Sequence, residues 1–109
     1  MQRMGMVIGL QAGKIAEYKA LHAAVWPDVL ALISACNIRN YTIFLKEPEN
    51  LLFGVWDYVG SDFDADMAKM AADPKNKEWW AFCMPCQKPL DTRKPGEWWA
   101  MMEAVFHAD

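Results

Sequence analysis

The chain opens with alternation. In "RMGMVIGL" the residues Met4, Met6, Ile8 and Leu10 fall on one side, and Arg3, Gly5, Val7 and Gly9 on the other. That is the period of a β-strand. The polar stretch "QAGK" turns the chain into a different period. From about Lys14 onward, Ile15, Tyr18, His22, Val25, Val29, Leu32 and Cys36 recur at alternating intervals of 3 and 4 residues, one continuous helical face. Pro27 lies inside this pattern. It has no amide proton to donate and crowds the turn before it. A kink is expected there, or a break with Pro27 as the first residue of a second helical piece.

Two further strands follow, "IRNYTIFL" and "LLFGVWDYV", joined by the turn "KEPEN" as an antiparallel hairpin. Ser61 with Asp64 gives a capping-box-like start to the next helix, although Asp is shorter than the usual Glu. Asp73-Pro74 reads as an N-cap followed by proline at the first helical position, opening "KNKEWWAFCM". "CQKPLDTRKPGE" reads as a loop, and "WWAMMEAVFH" as a last strand. The order strand, helix, strand, strand, helix, strand is the ferredoxin-like βαββαβ order. It predicts an α+β domain in which a four-stranded antiparallel sheet carries its helices on one face. The strands are apolar on both sides, for example Leu52, Trp56 and Tyr58 against Phe53, Val55 and Val59. No third layer remains in the chain to cover the second face. A homodimer through that sheet face, a dimeric α+β barrel, is the expected answer.

Bulk properties narrow the class. A chain of 109 residues, 54% hydrophobic and 23% charged, is that of one soluble globular domain, residues 1–109. A net charge of -3 gives no electrostatic reason to expect nucleic acid or an anionic membrane as partner. No apolar run approaches the roughly 20 residues needed to span a bilayer. "MQRMGMVIGLQAGK" is too quickly polar for a signal peptide. Three cysteines make no disulfide framework, so a reduced, cytoplasmic protein is expected.

The candidate chemistry starts on the first helix. Tyr18 and His22 stand at i and i+4, neighbours on one face that is otherwise apolar. A histidine on such a stripe is often an ordinary core residue. It is also the side chain that gives and takes protons near neutrality. Tyr41, in the second strand, shares a side with Ile43 and Leu45. If that side faces the first helix, three polar tips converge in one apolar cavity. Trp79 and Trp80 are adjacent on a helix and point about 100° apart, so one can pack in the core while the other lines a cavity. Flat indole faces stack on sugar C–H groups, and the indole N–H bonds hydroxyls. Trp98 and Trp99 suit core and dimer-interface positions. "CMPC", Cys83 to Cys86, follows a helix rather than starting one. It therefore reads as two structural thiols rather than a redox pair. The remaining candidate ligands, Cys36, His22 and His107, are too scattered for a zinc site, and no metal is expected. There is no phosphate loop or nucleophile elbow. An enzyme built from these residues would work without cofactor, by proton transfer.

Taken together, "EYKALHAAVWPDVL", "NYTIFL", "LLFGVWDY" and "EWW" resemble the L-rhamnose mutarotase family. The likeness runs from about Met4 to Trp80 and returns at "EAVFH"; the stretch after Trp80 looks longer and different. The resemblance implies a dimeric ferredoxin-like domain that interconverts the α and β anomers of a 6-deoxy-L-hexose. It implies that His22 is the proton donor and that Tyr18, Tyr41, Trp79 and Trp80 bind the sugar. It leaves L-fucose beside L-rhamnose as the monosaccharide substrate. Two alternatives stand next to it: a non-catalytic sugar-binding module using the same aromatics, and a cofactor-free or haem-type oxygenase of the dimeric ferredoxin-like class.

Overall fold

The computed structural model describes all 109 residues, Met1–Asp109. Strand β1 (Gln2–Leu10) is followed by a single 3-10 turn and helix α1 (Ile15–Ala23), then α2 (Pro27–Ala35). The hairpin β2 (Ile38–Lys46) and β3 (Leu51–Tyr58) leads into α3 (Phe63–Ala72) and α4 (Pro74–Cys83). Two short strands, β4 (Gln87–Lys88) and β5 (Ala100–Met102), complete the sheet. The α+β, ferredoxin-like βαββαβ expectation holds, with each helical limb divided in two.

Both divisions have a local cause. Trp26 is extended, with ψ 136°, as the residue before a proline must be, and Pro27 takes the first position of α2. The 3,4 spacing nevertheless carries across the break. Tyr18, Val29 and Cys36 are buried, and Ile15, His22, Val25 and Leu32 are half-buried. Between α3 and α4, the Asp73 carboxylate accepts from the Asn76 amide at 2.9 Å and Pro74 follows as the first helical residue, as the sequence predicts. The start of α3 lies one residue later than expected. Asp62, not Ser61, is the N-cap, and its carboxylate accepts from the Ala65 amide at 3.1 Å. The hydroxyl of Tyr58 accepts from the Asp62 amide at 3.2 Å and donates to Asp66, which pins the helix entry at that residue.

The sheet order is β2-β3-β1-β4, with β5 also on β1, and every pairing is antiparallel. The fourth row is two short pieces rather than one strand. β4 pairs Gly9 and Leu10, and β5 pairs Gly5 to Val7. This corrects two expectations. "CQKPLDTRKPGE" is not wholly loop, because Gln87 and Lys88 are strand. "WWAMMEAVFH" is strand only over Ala100–Met102, and residues 103–109 run on exposed and irregular. That tail has no neighbouring strand to complete its hydrogen bonds.

The helix-covered face of the sheet carries Met6, Ile8, Leu10, Leu52, Ile38 and Tyr58, all buried. Burying each aliphatic side chain there contributes about 1.5–3 kcal/mol. Strand β2 reaches this face through a bulge. Arg39 pairs Asp57 and Thr42 pairs Val55, so Asn40 and Tyr41 together oppose Trp56. Asn40 takes φ 55°, a conformation that Asn tolerates, and its amide donates to Asp57 at 3.0 Å. The bulge changes the parity of the strand. Ile38 before it and Tyr41, Ile43 and Leu45 after it all face the helices. On the opposite face, Val7, Phe53 and Phe44 form a cross-strand row. Phe44 is 60% exposed, and nothing in the chain covers it.

One glycine controls the β1–β4 approach. A Cβ on Gly9 would lie 2.6 Å from the Lys88 carbonyl oxygen, a backbone atom that can move only with its strand. Gly9→Ala should lower stability by about 1–3 kcal/mol through overpacking. Gly13→Ala, where a Cβ meets nothing within 4 Å, should leave stability unchanged or slightly higher. Urea denaturation midpoints of the two variants check the contrast; equal midpoints would refute it.

Candidate active site

Helix α1 brings Tyr18 and His22 into direct contact. Their rings stack with centroids 4.2 Å apart and planes at 27°. His22 Nδ1 lies 3.0 Å from the Tyr18 carbonyl oxygen. A carbonyl only accepts, so Nδ1 carries the proton, and the neutral ring has a bare Nε2. Trp79 from α4 meets His22 edge-on at 5.4 Å and Trp26 at 5.2 Å. The imidazole is therefore held on one side by Tyr18 and on another by Trp79.

Beside this pair lies a cavity of about 140 Å³, lined by Leu10, Tyr18, Lys19, His22, Ile43, Leu45 and Leu52. At about 30 Å³ of liquid volume per water it has room for four or five waters. Its walls are mostly aliphatic, and the titratable groups project from one helix. A larger depression of about 420 Å³ lies between Gly9–Ala12, Glu49–Leu51 and Lys88–Asp91. It contains no imidazole and no aromatic ring, so it offers nothing that exchanges protons near neutrality.

The other residues singled out from the sequence fall around this cavity rather than on its wall. Tyr41 is on the helix-facing side with Ile43 and Leu45, packed edge-on against Trp56 at 4.9 Å. Trp79 is buried in the core, and its neighbour Trp80 is half-buried against the same cluster. Adjacent indoles thus do divide between core and a more open position. Trp98 and Trp99 are tied to this half of the molecule. Trp99 packs against the core cluster, and the Trp98 indole donates to the Gln87 side chain at 2.8 Å.

Gln87 was not visible as a site residue in the sequence. It is buried, faces the helices opposite Leu10, and its Nε2 donates to the Tyr18 hydroxyl at 3.2 Å. Lys19, at the cavity mouth, was missed as well. Gln87 lies in no motif, and Lys19, although inside "EYKALHAAVWPDVL", is not one of the positions that the pattern singles out. The two residues Gln87–Lys88 are too short a strand to leave a period in the sequence, and only the pairing with β1 sets Gln87 beside Leu10.

Burial sets the protonation states. It lowers the His22 pKa below the ordinary 6.5, only partly offset by the hydrogen bond to the Tyr18 carbonyl. It raises the Tyr18 phenol to about 12, partly offset by the Gln87 hydrogen bond. Tyr41 is pushed up by burial in the same way, with a further push from Tyr18. At neutral pH the imidazole and both phenols are uncharged. Cys83 and Cys86 are free thiols, buried, and burial raises both, Cys83 to about 12. Neither is a reactive thiolate at neutral pH. No group of His, Cys, Asp and Glu side chains is arranged to hold a metal ion. No helix is long and apolar enough to cross a membrane.

The family model for L-rhamnose mutarotase matches residues 3–108. The match therefore continues through the stretch after Trp80 that looked divergent. An L-rhamnose mutarotase of Oceanobacillus iheyensis is 31% identical over 109 residues, covering 100% of both chains. One from Sinorhizobium medicae is 35% identical over 107 residues, covering 98% of each. Among solved structures, an L-rhamnose mutarotase from Formosa agariphila superposes with a TM-score of 0.79 at 23% identity, covering 100% of both chains; at that identity the likeness speaks for the fold. With the stacked Tyr18–His22 pair at an aliphatic cavity already in view, these matches place the chain in the L-rhamnose mutarotase family, whose members are isomerases acting on carbohydrates.

Proposed function

We propose that this protein is an aldose 1-epimerase that interconverts the α and β anomers of a 6-deoxy-L-hexose, L-rhamnose first and L-fucose second. One observation carries the reading. A neutral imidazole with a bare Nε2 and a protonated phenol stand stacked at the wall of a cavity whose other lining residues, apart from Lys19, are aliphatic. Anomerisation needs one group to take a proton and another to give one, with no net charge change.

In the forward step the anomeric hydroxyl of the sugar gives its proton to His22 Nε2. The C1–O5 bond breaks, C1–O1 becomes a carbonyl, and the ring oxygen receives a proton from the Tyr18 hydroxyl. The open chain turns about the C1–C2 bond. Closure runs the transfers backward: the phenolate takes the O5 proton, O5 attacks C1 on the other face, and the His22 imidazolium donates to O1. His22 is thus the acceptor in opening and the donor in closure; the donor to the ring oxygen is Tyr18, which departs from the role that the family resemblance implies for His22. Tyr41, Trp79 and Trp80 stand behind the cavity wall and support it rather than line it. The aliphatic walls formed by Leu10, Ile43, Leu45 and Leu52 suit a methyl carbon at C6. A C6 hydroxyl there would be left unpaired, at a cost of about 1–3 kcal/mol. Exposed Phe44, in a row with half-buried Phe53 and Val7, supports a homodimer through the open sheet face.

Three outcomes are expected. His22→Ala should lower the anomer exchange rate by about 100-fold or more, read by saturation-transfer NMR on L-rhamnose, L-fucose and ordinary hexoses. Undiminished exchange in that variant removes His22 from the reaction. The rate should be flat near neutrality and fall in acid, with a midpoint below 6.5, because protonating His22 removes its acceptor. Stability follows the same sign. The folded His22 pKa lies below the unfolded one, so its contribution is present above 6.5 and lost as pH falls through the folded value. An acid limb centred above 6.5 would contradict this. Finally, Phe44→Glu should convert a dimer to a monomer by light scattering; an unchanged mass would place the interface elsewhere.

A further inference from the structure

We propose that Gln87 is a positioning residue that fixes Tyr18 as a hydrogen-bond donor toward the cavity, and that Trp98 sets the orientation of the Gln87 amide. This rests on the mutarotase reading for its consequence, but not for its geometry.

The argument follows from which atoms can donate. An indole N–H donates and cannot accept. The Gln87 side-chain atom 2.8 Å from Trp98 Nε1 is therefore the carbonyl Oε1. The other end of the amide, Nε2, then faces the Tyr18 hydroxyl at 3.2 Å. An amide nitrogen only donates, so the phenol oxygen accepts. The phenol's own proton cannot lie along that line. It has no acceptor within the chain, and Tyr18 is part of the cavity wall. The proton is directed to whatever occupies the cavity.

Burial makes this orientation costly to reverse. Gln87 is 7% exposed, so a flipped amide would set its N–H donors against the Trp98 indole N–H and leave both without an acceptor. The backbone supports the same placement. Gln87 pairs with Leu10 at the end of β1, and the Gln11 amide donates to the Cys86 carbonyl at 2.8 Å.

The relay complements His22. The carbonyl of Tyr18 holds Nδ1–H, which leaves Nε2 as an acceptor. The amide of Gln87 leaves the Tyr18 hydroxyl as a donor. One turn of α1 thus presents an acceptor and a donor side by side. A cyclic hemiacetal offers the matching pair, an anomeric hydroxyl that donates and a ring oxygen that only accepts. The polarity is imposed by Trp98, from the stretch after Trp80.

Two measurements test this. In a neutron structure of the deuterium-exchanged wild-type protein, the Tyr18 deuteron should point into the cavity and both Gln87 amide deuterons should sit on the Tyr18 side. A Tyr18 deuteron lying on the line to Gln87 overturns the proposal whether or not the protein turns over any sugar. Kinetics then test the consequence. Gln87→Glu keeps the shape but presents two acceptors, so the phenol donates to the carboxylate and kcat should fall by about 100-fold with KM changed little. Gln87→Met removes the donor without adding an acceptor and should lose about tenfold, the worth of one hydrogen bond. A role in packing alone would leave both variants near wild type. A Glu variant as active as the Met variant overturns the proposal. Trp98→Phe, at a half-exposed position, reports if the Gln87 variants fail to fold. It should lose up to about tenfold in kcat, and an unchanged kcat also overturns the assignment of Trp98.

Discussion

Strand β1 is the constraint on which the rest depends. It is hydrogen-bonded along both edges, to β3 on one side and to β4 and β5 on the other, and so joins the hairpin to the short fourth row. Its alternation puts Met6, Ile8 and Leu10 under the helices. Leu10 is also a wall of the cavity and the pairing partner of Gln87. The register that buries the core is therefore the register that aims the amide at Tyr18. A slip of one residue would turn every inward side chain outward and carry Gln87 away from the phenol.

The second requirement is to hold a short helix still. α1 has nine residues, too few to be stable alone in water. Its position comes from the aromatic cluster at its C-terminal end. Trp26, in the linker before Pro27, packs edge-on against Trp79 and Phe82, and the Lys75 ammonium lies 4.8 Å over its ring. Trp79 in turn touches His22. The break at Pro27 places Trp26 where it can lock α1 to α4.

Burial also accounts for the chemistry. The same apolar surroundings push the imidazole pKa down and the phenol pKa up, so both groups are neutral at working pH. One is then a ready acceptor and the other a ready donor. Charge is kept to the rim, at Lys19, and to networks on other parts of the fold, such as Arg3 with Asp57 at 2.8 Å.

Much of this was legible in the residues. Periods of 2 and of 3,4 marked the first three strands and the helical stripe, because those patterns follow from backbone geometry and the need to bury one face. Pro27 and Asp73-Pro74 marked helix starts, because proline restricts its own backbone and the residue before it. The stripe also exposed Tyr18 and His22 as polar groups in apolar company, and Tyr41 as their companion across the sheet. What the sequence could not show was the fourth row of the sheet. Two residues of β4 and three of β5 are too short to leave a period, and they become strands only because β1 offers an open edge. The parity change at Asn40 was equally hidden, since a bulge inserts one residue without altering the apolar pattern on either side. The hydrogen bonds of Gln87 to Tyr18 and Trp98 span 69 and 11 residues. Local propensity and spacing determined the elements and the placing of Tyr18 and His22 on one helix face. Only tertiary packing, by bringing distant donors and acceptors to one buried point, decided which way each of them faces.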